Sequence, residues 1–233
     1  MAGRHHRNVR GEALERPLVP GRAQGAGRGW AEVGALVGLV MSYIWGWQGT
    51  FAGAGVAVVA LYFGLGAWVH RRHGESLEVL GLGKRRLVRG LLQALVVVGP
   101  LAAAALVAGA AAGAWHFPAP AALARDLAVY AAWGTVQQYG LLCILYRRLV
   151  ELLPGAWAPL AVSGLLFGLF HIPNPFLVPV TVALGSLSAW LYRRVPNVLA
   201  LGLAHGVLGV VLTYALPLGV TWGMRVGPGM LGR

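Results

Sequence analysis

Residues 90–114 read GLLQALVVVGPLAAAALVAGAAAGA, a stretch without one ionisable side chain. A helix needs about 20 mostly apolar residues to cross the hydrocarbon core of a bilayer, and this run supplies them. Working outward, six more segments have the same character, at about 30–48, 52–70, 124–146, 156–172, 177–192 and 197–216. The pattern predicts an all-α polytopic membrane protein with about seven transmembrane helices.

The connectors alternate in charge. Arg71-Arg72 with Lys84-Arg85-Arg86-Arg89, then Arg147-Arg148, then Arg193-Arg194, stand between segments whose other connectors hold no Arg or Lys. Those uncharged connectors lie around Gln48-Gly49-Thr50, at 115–123 and at Pro173–Phe176. Lys and Arg collect on the cytoplasmic side of short membrane loops. Seven crossings with the N-terminus inside put every basic cluster on that side. The expected organisation is a basic cytoplasmic tail over 1–29, three helices with a basic cytoplasmic loop over 30–114, a four-helix core over 115–216, and a short tail over 217–233.

Composition agrees. Of 233 residues 58% are apolar and only 11% charged, with a net charge of +12. Soluble domains carry about 25% charged residues, and disorder needs low hydrophobicity. The positive balance is an orientation code rather than a nucleic-acid surface, because the Arg pairs are separated by apolar spans; the N-terminal tail can touch anionic headgroups. One cysteine, Cys143, excludes an internal disulfide. The residues over 71–89, with Glu75 and Glu78, read as an interfacial loop or short amphipathic helix. The 35 glycines read as close-packing positions.

Polar groups at membrane depth are costly and mark function by default. Here they are few: Gln137-Gln138 in the fourth segment, His171 at the end of the fifth and His205 in the seventh. Two imidazoles and two carboxamides on three helices of one bundle form a joint polar site, since each group lowers the cost of burying the others.

The order and spacing of these residues resemble the CPBP intramembrane proteases, the group related to the type II CAAX-processing endopeptidase and to bacteriocin-processing and immunity (Abi) proteins. Phe167 and His171 match that family's Phe-x-x-x-His, and His205 matches the start of its His-x-x-x-Asn/Asp. Gln137-Gln138 stands where the family has Glu-Glu, Leu142 where it has Arg, and Gly209 where it has Asn. The resemblance covers about residues 120–216. It implies that Gln137 and His171 occupy water-activating positions and His205 an oxyanion position. Gln138 and Leu142 then stand where the family has a Glu–Arg pair at i and i+4; losing both members together strands neither charge.

A carboxamide does not take a proton near neutrality, so Asp126 is the candidate surrogate acid. It lies three turns from Gln137 on nearly the same helical face, and an approach to His171 at the mouth is geometrically open. A residue favoured by the helix N-terminus is the plainer reading of it. No metal or other cofactor is expected, because two His without a carboxylate make a poor zinc site.

The resulting expectation is an integral membrane endopeptidase, in a bacterial inner membrane, whose partner is a membrane-associated or C-terminally anchored peptide and not nucleic acid. The alternative is a catalytically silent relative that keeps the helical core as a binding, scaffold or immunity module. A transporter is disfavoured because no internal repeat is evident.

Overall fold

The computed structural model describes residues 26–48 and 53–232. Most of the basic tail over 1–29 and the middle of the connector around Gly49-Thr50 lie outside those residues. Every described secondary-structure element is helical. α1 (Ala26–Ser42) runs on through a π-helical turn, Tyr43–Trp47. α2 spans Ala54–Arg72 and α3 Leu87–Ala111. α4 (Pro120–Gln138) continues through a π-helical stretch, Tyr139–Tyr146, into α5 (Arg147–Leu152). α6 (Ala158–Leu169), α7 (Leu177–Arg194) and α8 (Val198–Ala215) complete the bundle, followed by the short α9 (Leu218–Thr221).

Each apolar segment of the sequence is helical over most of its length. Three of the helices, α2, α3 and α8, are long and apolar enough to cross a membrane by length and composition. α6 is apolar but has only 12 residues, and α4 carries Arg125, Asp126, Gln137 and Gln138 within its span. α3 turns Val88, Leu92, Leu95, Val96 and Val107 outward. An apolar outer face of that kind belongs to a protein embedded in lipid.

Small residues set the spacing of the helices. A Cβ placed on Gly206 of α8 would lie 2.6 Å from the backbone of Ala131 on α4. One placed on Gly164 of α6 would lie 2.4 Å from the Val182 carbonyl oxygen of α7. Backbone cannot rotate away as a side chain can. Gly206→Ala is therefore expected to force α4 and α8 apart at about 1–3 kcal/mol, measured as lowered thermal stability in detergent. Gly38→Ala on α1, where nothing lies within 4 Å, is expected to cost nothing and to add at most about 1 kcal/mol of helix propensity.

Two buried asparagines tie loops to helix starts. Asn197 caps α8 by accepting from the Ala200 N–H at 2.8 Å, and its amide donates to the Gly83 and Arg85 carbonyls, both at 3.1 Å. Asn174 accepts from the Phe176 and Leu177 N–H groups and donates to the Thr221 and Arg225 carbonyls. The second set fastens the C-terminal segment beside the loop that follows His171.

Of the two readings of residues 71–89, a loop or a short amphipathic helix, the structure has the loop between α2 and α3. It folds as turns, and the Glu75 side chain is only 5% exposed at its centre. The Glu75 carboxylate faces His70 Nδ1 and Arg147 Nε, both at 2.7 Å, and Arg148. His70 in turn meets the Tyr139 hydroxyl at 3.0 Å. Arg148 is fully buried and the Arg147 side chain is nearly so, and both pair with Glu75.

Candidate active site

A cavity of about 560 Å³ opens among α1, α2, α4, α6, α7 and α8. Its wall is mainly apolar, and Gln137, His171 and His205 all lie on it. Three of the four polar residues singled out in the sequence thus share one space. Gln138, next along α4, sits behind the wall, fully buried.

The Phe-x-x-x-His spacing has a local cause. His171 follows the last turn of α6, and its Nδ1–H donates to the Phe167 carbonyl, four residues back, at 2.7 Å. A carbonyl only accepts, so Nδ1 carries the proton and a neutral His171 keeps its Nε2 lone pair free. The Phe167 ring stands edge-on to both imidazoles, 5.0 Å from His171 and 5.7 Å from His205 between centroids. One aromatic side chain thus packs against both histidines.

His205 is carried by α8 where Gly202 and Gly206 let α4 come close. A Cβ on Gly202 would lie 2.3 Å from Thr135 Oγ1. That approach sets the Gln138 amide nitrogen 3.2 Å from His205 Nδ1, and equally 3.2 Å from Ser188 Oγ of α7. Gln138 Oε1 is buried with no hydrogen-bond partner. Leu142, one turn further on, is fully buried in the apolar core.

Asp126 is not among the residues of the cavity wall. Its carboxylate accepts from the Tyr214 hydroxyl at 2.6 Å and from Arg125 Nε at 3.0 Å, at the end of α4 that lies against the C-terminal part of α8. Tyr130 is a site residue that the sequence reading missed. A Cβ on Gly209 would come within 2.8 Å of Tyr130 Cδ1, so the tyrosine ring fills the space a side chain at 209 would need. Its hydroxyl meets Thr213 Oγ1 at 3.0 Å, and Thr213 donates to the Gly209 carbonyl at 2.7 Å. The contact joins residues on two helices, and no local sequence pattern signals it.

A catalytic zinc takes three protein ligands and leaves one position for water. Among the described residues no group of three His, Cys, Asp or Glu side chains is placed to hold a metal ion, and the imidazoles are bonded to the Phe167 carbonyl and the Gln138 amide instead. This donor set does not fit a zinc ion.

Residues 141–211 match the family model described as type II CAAX prenyl endopeptidase Rce1-like. This agrees with the resemblance read from the motifs. The matched segment contains His171, His205 and Gly209, and begins just after Gln137-Gln138. No curated protein and no solved structure matches the chain.

Proposed function

We propose that the protein is an intramembrane endopeptidase that cleaves a membrane-associated or C-terminally anchored peptide, in a chain crossing a bacterial inner membrane seven times with its N-terminus inside. The observation that carries this reading is the pair of imidazoles on one apolar cavity, with His171 held by the Phe167 carbonyl so that Nε2 is free to accept a proton.

The chemistry follows from that arrangement. His171 Nε2 takes a proton from a water oriented by the Gln137 amide, and the water oxygen bonds to the scissile carbonyl carbon. The carbonyl oxygen gains the electron pair of its π bond and is steadied by a hydrogen bond from His205. The imidazolium of His171 then passes its proton to the amide nitrogen as the C–N bond breaks. The amine and the carboxylic acid are released, and His171 is neutral again.

A second reading, a catalytically silent module, is favoured by Gln137, which stands on the wall where the resembled family has a carboxylate. One comparison separates the two. Membrane-anchored peptides are profiled by mass spectrometry in the native host carrying wild type, His171→Ala or His205→Ala. Peptides present with wild type and missing with both variants are expected. A peptide set identical in all three strains would leave the silent module as the better reading.

A further inference from the structure

Gln138 presents a donor-counting problem with a chemical consequence. The amide carries two N–H hydrogens and one carbonyl oxygen. Its two polar contacts, Ser188 Oγ and His205 Nδ1, both lie 3.2 Å from the amide nitrogen. In that orientation both hydrogens are used and a single acceptor, Oε1, is left bare. The flipped amide satisfies the oxygen but strands both buried N–H hydrogens, which is the costlier state. An N–H directed at His205 Nδ1 requires a lone pair there, so the ring proton sits on Nε2, at the opposite edge of the imidazole.

We propose that Gln138 is a positioning residue that holds His205 as the Nε2–H tautomer. Together with the Phe167 carbonyl, which holds His171 in the opposite tautomer, it gives the cavity one imidazole nitrogen that accepts and one that donates. The role assigned to the donor rests on the hydrolytic reading above, whereas the tautomer does not. A carboxylate at 138 would act in the reverse sense. It has no hydrogen to give, so it draws a proton onto His205 Nδ1. With Leu142 in the apolar core beside it, a neutral amide is also the form that needs no counter-charge. Gln138 is therefore a device for setting a proton's place rather than a weakened glutamate.

The test is spectroscopic and needs no substrate. Full-length protein labelled with ¹⁵N-histidine is examined in lipid bilayers by solid-state NMR, and His205 is assigned by the signals missing from His205→Gln. In wild type a directly bonded proton is expected on His205 Nε2 and none on Nδ1. A proton on Nδ1, alone or together with Nε2, would overturn the proposal. In Gln138→Glu, at a pH where the ¹³C shift of the new carboxyl shows it ionised, Nδ1 is expected to gain a proton; an unchanged His205 signature under that condition would also overturn it. If Gln138→Glu does not fold, the wild-type spectrum decides. Loss of the hydrolytic reading would instead show as unchanged peptide profiles in the histidine variants, with the tautomer intact.

Discussion

Arg148→Ala is expected to lower the stability of the protein by about 3–5 kcal/mol, the usual cost of breaking a buried ion pair from one side. Arg148 is fully buried, bonded to the Glu75 carboxylate and 3.2 Å from Glu151. Removing it leaves Glu75 with only His70 and Arg147, and Glu151 without its neighbouring cation. The loop between α2 and α3 is fastened to α5 through this carboxylate, so the loss falls on the packing of α2 against the core. Thermal unfolding in detergent reads it directly. Arg85→Ala is the matched control, because its partner Glu78 and Arg85 itself are both exposed, and surface pairs are worth about 0–1 kcal/mol.

The same carboxylate sets an acid limit on stability. Burial alone would raise the Glu75 pKa, but the His70 hydrogen bond and the charges of Arg147 and Arg148 outweigh it and hold it down at about 2, against an ordinary 4.5. The folded pKa is below the unfolded one, so between those values the unfolded chain binds the extra proton. Stability from this group is complete above the ordinary carboxylate value and drains away as pH falls toward 2. A melting temperature that drops from pH 6 to pH 3 in wild type, and drops less in Glu75→Gln, is the expected result.

What could be read from the chain divides by distance. The helices were legible because apolarity is a property of continuous segments, and the link from His171 to Phe167 because i and i+4 are neighbours on a helix. Arg147-Arg148 read as a topological mark alone, since the acid that buries Arg148 lies 73 residues earlier. Tyr130 was invisible for the same reason: its contact with Gly209 exists only after α4 and α8 pack. Gln137 and Gln138 are told apart in the sequence only by the family resemblance, since two adjacent carboxamides carry no local difference of their own. Successive residues on a helix point about 100° apart, and only the bundle decides which faces the cavity and which faces His205.

His171→Ala is expected to reduce kcat by about 10²–10⁴-fold, the contribution of a general base placed on the reacting water. The substrate for the assay is the peptide that the mass-spectrometric comparison identifies. Loss of turnover alone does not show that His171 takes the proton, because the ring also packs against Phe167. The discriminating variant is Gln137→Glu in the His171→Ala background. Position 137 lies on the same cavity wall, and a carboxylate there accepts a proton where the carboxamide cannot. If the missing function is proton acceptance, Gln137→Glu restores part of the lost turnover. If the missing function is the shape of the wall, a new carboxylate restores nothing and adds a buried charge. Rescue with Gln137→Glu and none with Gln137→Met would assign the proton to this pair of positions.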